Sequence, residues 1–333
     1  MKEALFWNKK KDKVVQCVLC PRNCVIAEGK RGFCGVRENQ NGKLISLVYG
    51  KAVSVNVDPI EKKPLFHFLP GSRAFSFGTV GCNLKCQHCQ NWEISQCSFE
   101  EGYSRDLEPA EIVEQAEENE CESIAYTYND PTVFFEYALD TAKLAKKKGI
   151  KNVIVHNGFI NKEPLLEWCK VMDAANVDYK GDDNFYRKIT TAWLEPVQQT
   201  IKTLYEKKVW DEITNLLIPT LNDKESQIKE MCTWIKDNVG LEIPLHFSRF
   251  FPYYKLNKLP PTPADSLLKA RNIALKTGFK FVYVGNVYIE GAEDTYCPKC
   301  KEAVITREGF SVVSNKIKDG KCKCGEKIAG VWK

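Results

Sequence analysis

Fifteen cysteines carry most of the chemistry that this 333-residue sequence offers, and eleven of them fall into three groups. The groups are Cys17, Cys20, Cys24 and Cys34; Cys82, Cys86 and Cys89; and Cys297, Cys300, Cys322 and Cys324. Cysteines are about 4.5% of the chain, below the roughly 8–10% of disulfide-stapled secreted domains, so clustered thiols indicate metal ligands. The other four, Cys97, Cys121, Cys169 and Cys232, are isolated and are expected to pack as small apolar side chains.

The middle group has the spacing CxxxCxxC and follows a predicted strand directly. A four-iron cluster ordinarily takes four cysteine ligands, so Cys82, Cys86 and Cys89 would leave one iron without a protein ligand. An open coordination position distinguishes a catalytic metal centre from a structural one. The C-terminal end of a barrel strand is also where such folds place their active sites, so the pattern predicts a catalytic cluster.

The other two groups each offer four thiolates. Cys297 and Cys300 form one knuckle and Cys322 and Cys324 a second, which predicts a zinc-ribbon-like lobe with a structural zinc ion, although the second knuckle is CxC rather than the usual CxxC. In the N-terminal group, Cys17, Cys20, Cys24 and Cys34 suit zinc or an auxiliary iron–sulfur cluster. The ligand count leaves both metals open.

Between residues 73 and 287 short β-rich runs alternate with amphipathic ones, the pattern of repeated βα units and a parallel sheet. The predicted strands cover residues 74–80, 123–128, 152–156, 176–179, 212–218, 245–250 and 280–284, and the predicted helices residues 132–148, 195–207, 223–238 and 263–277, with another beginning near residue 108. We predict an α/β fold, a partial or full parallel (β/α) TIM-like barrel; an open doubly wound sheet shares the pattern. The predicted domains are a Cys-rich N-terminal lobe (1–72), the barrel (73–290) and the ribbon lobe (291–333).

Composition narrows the class of protein. A hydrophobic content of 44% excludes a disordered chain, and no apolar run is long enough to cross a membrane. The first residues lack the apolar core of a signal peptide, so a cytoplasmic protein is expected. Residues 295–333 hold nine Lys and Arg against four Asp and Glu, which leaves an alternative function: a non-catalytic, metal-scaffolded module that binds nucleic acid or an acidic protein.

Several motifs, taken in their order along the chain, resemble one superfamily. They are residues 17–21, 81–92, 126–131, 178–181, 245–252 and 283–287. Together they are similar to the radical S-adenosylmethionine (SAM) superfamily, to its pyruvate formate-lyase activating enzyme-like branch and, within that branch, most closely to the radical SAM enzymes of the AmmeMemoRadiSam system.

The resemblance implies a chemistry and a set of partners. A 4Fe–4S cluster on the middle cysteines would bind SAM at its open iron and pass one electron into the sulfonium. The resulting 5′-deoxyadenosyl radical would abstract hydrogen from a substrate. A one-electron reductant such as ferredoxin or flavodoxin is implied, and the substrate is left open between a protein, as for activating enzymes, an RNA and a small molecule.

The resemblance also implies which residues contact SAM. Tyr128, Asn129, Asp130 and Pro131 occupy the positions of a Gly-Gly-Glu-Pro-like motif that receives the methionine amine, with aspartate in place of glutamate. In this family the residue before the third cysteine of the motif usually packs an aromatic ring near the adenine. The corresponding residue of this chain is His88. The positions implied for the ribose and the methionine carboxylate are Asn157, Asp178 and Lys180, and a further ribose position is His246.

Overall fold

The computed structural model describes residues 1–100 and 103–332, and its core is one eight-stranded sheet. The strands are β1 (Ser54–Pro59), β2 (Arg73–Gly78), β3 (Ser123–Tyr126), β4 (Lys151–His156), β5 (Ala174–Asp178), β6 (Trp210–Leu217), β7 (Leu245–Arg249) and β8 (Val282–Gly285). They lie side by side in chain order. Strand β1 pairs antiparallel with β2, and every other neighbouring pair is parallel.

Six helices connect the parallel strands. They are α1 (Pro109–Glu118), α2 (Phe135–Lys147), α3 (Lys162–Cys169), α4 (Glu195–Glu206), α5 (Glu225–Asn238) and α6 (Ala264–Thr277). Shorter helical segments cover Trp92–Ser95, Asp183–Phe185, Ile60–Lys62, Pro131–Phe134, Tyr254–Leu256 and the π-helical turn Tyr186–Thr190. In the described part of the chain no pairing joins β8 to β1, so the architecture is the predicted TIM-like barrel in its partial form.

Hydrophobic periodicity explains most of these elements. Helix α2 buries Leu139, Ala142 and Ala145 on one stripe, as its sequence predicts, and ends just before Gly149 at φ +77°. Helix α3 was not among the predicted helices because its eight residues are too few for a clear 3.6-residue period. No described helix has the length and apolar content needed to cross a bilayer.

The N-terminal lobe consists of small antiparallel sheets. Their strands are Lys2–Glu3, Arg37–Gln40 and Lys43–Ser46; Trp7–Lys9, Val15–Cys17 and Val25–Ile26; and Lys51–Ala52, which pairs with Arg105–Asp106. A buried ion pair between Arg37 and Glu136 joins the lobe to α2, and the same carboxylate accepts a 2.7 Å hydrogen bond from the Leu5 amide. Strand β1 lies within the segment predicted as the lobe, but its pairing with β2 makes it part of the core sheet.

The C-terminal lobe is a three-stranded antiparallel sheet of Thr295–Tyr296, Ala303–Glu308 and Ser311–Asn315. It packs on the segment between β1 and β2. Arg307 donates a 2.7 Å hydrogen bond to the carbonyl of Phe66 and places its guanidinium 4.3 Å from that ring. The ring of His67 contacts the Ala329 carbonyl at 2.6 Å and the Tyr283 hydroxyl at 2.5 Å. Both lobes are therefore fastened to the barrel by buried polar contacts.

Because His67 is enclosed, we expect it to make folding stability depend on pH. Burial lowers its pKa from 6.5 to about 4, so the folded protein keeps the ring neutral while the unfolded chain protonates it. The stability that the neutral ring contributes is present in full above about pH 6.5 and is lost as the pH falls towards 4. Over that range the free energy of unfolding changes by up to about 1.4 kcal/mol per pH unit. Urea unfolding at pH 7, 6 and 5 should show a shallower slope for His67→Gln than for the wild type. Identical slopes for the two proteins would contradict the role of His67. Effects of acid on the metal sites are common to the wild type and the variant, so they do not alter the comparison.

Candidate active site

A cavity of about 540 Å³ opens at the C-terminal ends of the parallel strands. Of the residues predicted for the cluster and for SAM, ten line it: Cys82, Cys86, His88, Cys89, Tyr128, Asn129, Asp130, Asn157, Asp178 and Lys180. They follow or end strands β2, β3, β4 and β5, so the parallel sheet brings together side chains that are almost 100 positions apart in sequence. This is the edge at which parallel α/β folds bind their ligands.

The cysteine loop after β2 is held by backbone contacts rather than by regular structure. Gly81 donates to the Ile94 carbonyl at 2.9 Å, and Lys85 donates to the Thr190 carbonyl at 3.1 Å. The amide group of Asn129 donates to the Gly81 carbonyl at 2.8 Å and accepts from the Thr79 amide at 2.9 Å. Asn129, predicted as a SAM contact, therefore also braces the cysteine loop against β3.

The three thiols of this loop lie in a largely buried environment. Cys82 and Cys86 are buried and Cys89 is partly buried. Burial raises the pKa of Cys86 to about 12, although Lys180 acts in the opposite direction, and burial raises the pKa of Cys82 well above its ordinary value. With their pKa values raised, the Cys82 and Cys86 thiols favour the protonated form at neutral pH, whereas a bound metal deprotonates its thiol ligands. The residues present therefore fit a thiolate-bound iron centre.

Residues 128–130 form a constrained turn at the end of β3. Tyr128 adopts φ +70°, a left-handed conformation that is uncommon for a large side chain and that clusters at ligand sites. Its carbonyl accepts a 2.7 Å hydrogen bond from Asn91. The Asp130 carboxylate accepts from the backbone amides of Thr132 at 2.9 Å and Asn157 at 2.7 Å, and burial raises its pKa. Asp130 thus fixes the ends of two strands relative to each other.

A lysine–aspartate pair lies at the C-terminal end of β5, where Asp178 is the last residue of the strand. The Lys180 ammonium donates to the Asp178 carboxylate at 2.8 Å. Burial disfavours the ammonium, but Asp178 and Cys86 outweigh that effect and raise the pKa of Lys180 above its usual value. The cavity therefore contains a permanent positive charge beside the cysteines, as recognition of a carboxylate requires.

Four buried polar atoms of the cavity lining have no hydrogen-bond partner in the described structure: the Nδ1 atom of His88, both ring nitrogens of His156 and the hydroxyl of Thr214. Buried polar atoms are normally paired, so these four are available to the polar groups of a ligand. Burial and Lys180 lower the pKa of His88 to about 3, which keeps this ring neutral, and it lies 5.8 Å from the ring of Phe185.

The structure does not bring His246 to the cavity lining. Its Nε2 atom contacts the Glu212 carboxylate at 2.7 Å, and its ring lies 5.1 Å from Tyr283 and 4.9 Å from Phe66. Glu212 also accepts from the backbone amides of Phe66 and His67, so His246 belongs to the packed end of the barrel. The difference from the prediction arises because His246 is the second residue of β7, while Ser248, two positions further on, lines the cavity.

Sequence reasoning missed a charged network at the cavity wall. Lys63 donates to Asp58 at 2.7 Å, and the Tyr128 hydroxyl donates to the same carboxylate at 2.7 Å. Burial would raise the pKa of Asp58, but the hydrogen bonds from Lys62, Lys63 and Tyr128 lower it well below its usual range. The spacing of Asp58 and Lys62 is the only local signal, since Tyr128 is 70 residues away from Asp58.

The C-terminal cysteines converge on one point. The sulfur atoms of Cys297, Cys300, Cys322 and Cys324 lie within 4.8 Å of one another, and two pairs, Cys297–Cys324 and Cys300–Cys322, are 3.6 Å apart. Four thiolates at such separations fit a single tetrahedral ion with metal–sulfur bonds of about 2.3 Å. The predicted metal site is thus formed, and its donor set suits zinc.

Removing the C-terminal ion should destabilise the whole chain. The ribbon shares a buried apolar cluster with Phe66 and Tyr283. Loss of the ion would therefore expose apolar surface of both the ribbon and the barrel. We expect Cys297→Ser to abolish zinc binding at this site and to lower Tm by at least about 5 °C. Zinc content and thermal unfolding measure the two effects, with Cys169→Ser as the control. An unchanged Tm in a zinc-free variant would show that the ion does not support the fold.

Two of the four isolated cysteines, Cys121 and Cys232, are buried as predicted, whereas Cys97 and Cys169 are partly exposed. The N-terminal cysteines, Cys17, Cys20, Cys24 and Cys34, line a second cavity, distinct from the one at the strand ends.

The fold and the site define a class of protein first: a partial parallel barrel with three closely spaced cysteines at the C-terminal ends of its strands. A family model described as the radical SAM superfamily matches residues 77–235. An uncharacterized protein of Methanocaldococcus jannaschii is 46% identical over 331 residues, which cover 98% of this chain and 99% of that protein. The pyruvate formate-lyase-activating enzyme of Clostridium pasteurianum is 27% identical over 203 residues, 56% of this chain and 81% of that enzyme.

A solved structure agrees at the level of the fold. Streptococcus suis SuiB, crystallised with its precursor peptide SuiA, superposes with a TM-score of 0.50 at 16% identity, covering 69% of this chain and 52% of SuiB. The chain belongs to the radical SAM superfamily, is a radical SAM enzyme, and is activating-enzyme-like within that superfamily.

Proposed function

We propose that this chain binds a 4Fe–4S cluster through Cys82, Cys86 and Cys89 and cleaves SAM reductively to abstract hydrogen from a protein partner. The observation that carries the proposal is the convergence of three cysteines, a lysine–aspartate pair and unpartnered polar atoms on one cavity. When bound and reduced, the cluster supplies the electron that cleaves the sulfonium, giving methionine and a 5′-deoxyadenosyl radical.

The residues of the chain position SAM and protect the reaction. Lys180, oriented by Asp178, binds the methionine carboxylate, since a fixed ammonium beside the cluster favours an anion there. The neutral ring of His88 supports the adenine next to Phe185. Asp130 and Asn129 hold the turn whose polar groups face the methionine amine.

The relatives support a protein as the substrate. Those with activating-enzyme names include the Clostridium pasteurianum enzyme and a putative glycyl-radical enzyme activating enzyme of Methanocaldococcus jannaschii, which is 23% identical over 65% of this chain. The electron would come from a one-electron carrier of the ferredoxin or flavodoxin class. An anaerobic pull-down followed by mass analysis of the captured molecule tests the substrate, and a mass change on an RNA or a small molecule would redirect the proposal.

The alternative, a basic binding module, receives less support from the ribbon. Arg307 is buried against Phe66, and Glu302 contacts Lys323 at 2.8 Å and Lys316 at 3.6 Å, so part of the positive charge is neutralised. Anaerobically reconstituted protein with dithionite and SAM should release 5′-deoxyadenosine, measured by chromatography. Absence of cleavage, together with nucleic-acid binding that weakens steeply with salt, would favour the module instead.

A further inference from the structure

The segment that follows β1 closes the barrel at the base of the active-site cavity. The carbonyl of Pro64 accepts a 2.9 Å hydrogen bond from Asn176 of β5, and the backbone amides two and three residues later donate to Glu212 of β6. The segment therefore crosses the barrel from β1 to β5 and β6. Lys62 and Lys63 line the cavity together with Pro64, so two lysines lie on its floor.

These two lysines share one carboxylate. The Lys62 ammonium donates to one oxygen of Asp58 at 2.8 Å, and the Lys63 ammonium donates to the other at 2.7 Å. Two positive charges face one negative charge, which leaves the group with a net charge of +1. Lys63 is only 3% exposed, and burial lowers its pKa although Asp58 acts in the opposite direction. A buried charge is costly unless it is paired, so this floor favours a ligand with one negative charge.

The Lys63 ammonium also has hydrogen-bonding capacity to spare. In the described structure it makes one hydrogen bond, to Asp58, and its Nζ atom lies 4.7 Å from the centroid of the Tyr128 ring. An ammonium group has three N–H donors, so at least one remains for a further acceptor. A carboxylate supplies that acceptor and the single negative charge, whereas a phosphate group carries a charge of about −1.5 to −2 at neutral pH.

The floor is separate from the lysine that we assign to SAM. Lys180 pairs with Asp178 at the end of β5, beside Cys86, whereas Lys63 pairs with Asp58 of β1. SAM has one carboxylate, and under the proposed function Lys180 binds it. The anion that balances the floor therefore has to come from the substrate.

The mouth of the cavity favours a protein as the source of this anion. Phe310 lies in the turn between the last two strands of the ribbon, lines the cavity and is 44% exposed. On the side of the cysteine loop, Asn91 lines the cavity, and the exposed ring of Trp92 that follows it stacks on Tyr254 at 5.3 Å. Small-molecule sites bury most of their ligand, whereas exposed aromatic rings are typical of surfaces that bind proteins.

We propose that Lys62 and Lys63 form a subsite that binds the carboxylate of an aspartate or glutamate side chain of the protein substrate, next to the SAM site. The inference rests on the proposed function for the identity of the substrate as a protein. The existence of an anion subsite on the floor of the cavity does not depend on it.

The subsite is tested with acetate as the probe. Binding of ¹³C-acetate to the anaerobically reconstituted full chain is followed by NMR line broadening at saturating SAM, without reductant and at constant ionic strength in sodium chloride. We expect Lys63→Met to weaken acetate binding at least about 10-fold and Lys62→Met about 3-fold, because each removes a charge-assisted donor. Asp58→Asn should strengthen it about 3- to 10-fold, since it removes the competing carboxylate. Lys276→Met, at an exposed position of α6, is the control and should not change it.

Equal affinity in the wild type and in Lys63→Met would overturn the subsite. Displacement of acetate by SAM would overturn it as well, because the lysines would then belong to SAM recognition. The opposite shifts expected for Lys63→Met and Asp58→Asn exclude a general loss of folding. Because no reductant is present, the outcome does not depend on SAM cleavage, so a failure of the proposed function remains distinguishable.

The protein source is tested by competition with two blocked peptides. Ac-Gly-Glu-Gly-NH₂ should displace acetate, and Ac-Gly-Gln-Gly-NH₂, which lacks the charge, should not. Displacement by inorganic phosphate or by free glutamate, with no displacement by the acidic peptide, would overturn the assignment to a protein side chain.

Discussion

Cys86→Ala is expected to reduce the formation of 5′-deoxyadenosine by at least about 1,000-fold, equivalent to ~4 kcal/mol of lost transition-state stabilisation. Cys86 is buried in the cavity lining, and its thiol is close enough to Lys180 for each group to influence the ionisation of the other. With one of three ligands removed, the cluster loses an anchoring bond that no other thiol of the loop replaces. The product is measured by chromatography under anaerobic, reducing conditions.

The matched control is Cys169→Ala. Cys169 is the last residue of α3 and belongs to none of the three cysteine groups, so the same change of chemistry there should leave cleavage and iron content unchanged. Cleavage by Cys86→Ala at the wild-type rate would show that the three cysteines do not hold the reactive centre. A loss of cleavage in the control as well would point to a general effect on the fold.

Lys180→Met is expected to weaken SAM binding by about 10- to 100-fold, the effect of losing one charge-assisted hydrogen bond of ~1.5–3 kcal/mol. Methionine keeps the length and apolar character of the side chain and removes its charge. Since Lys180 is paired with Asp178 at 2.8 Å, the single variant also leaves a carboxylate without its partner in the cavity. Equilibrium dialysis of SAM against anaerobically reconstituted protein measures the effect.

Two controls distinguish the loss of SAM recognition by Lys180 from repulsion of SAM by the unpaired Asp178 carboxylate. Lys188→Met removes a charge from an exposed position eight residues later and should not change affinity. Combining Asp178→Asn with Lys180→Met removes the uncompensated carboxylate. If the double variant regains wild-type affinity, Lys180 serves only to neutralise Asp178 and does not bind SAM.

The buried polar contacts at the two ends of the barrel have different consequences. At the end near Glu212, the carboxylate accepts from two backbone amides and from His246, and these groups hold the chain against the C-terminal lobe. At the other end, Asp130 accepts from two backbone amides, but Thr214 and His88 keep polar atoms unpaired. Buried polar atoms without a partner that line an open cavity are available to a ligand.

Much of the fold was predictable because its signals are local. Strand β4 was expected at residues 152–156 and is found at Lys151–His156, and β7 was expected at 245–250 and is found at Leu245–Arg249. Alternating strands and amphipathic helices have few solutions besides a parallel sheet. The choice of a partial barrel over an open doubly wound sheet required the structure, because both architectures share the same local pattern.

The sequence by itself determined the reactive elements of this protein: the three-cysteine loop, the four-thiol ribbon and the polar residues that end successive strands. These depend on spacing and on the rule that parallel strands end at a common edge. Only the tertiary structure decided that His246 faces Glu212, that Asp58 joins Tyr128, and that Cys34 packs behind Gly81. These contacts join residues 34 or more positions apart in the sequence. The depth of a side chain in the barrel depends on how all the strands pack together, and the neighbouring residues in the sequence do not determine it.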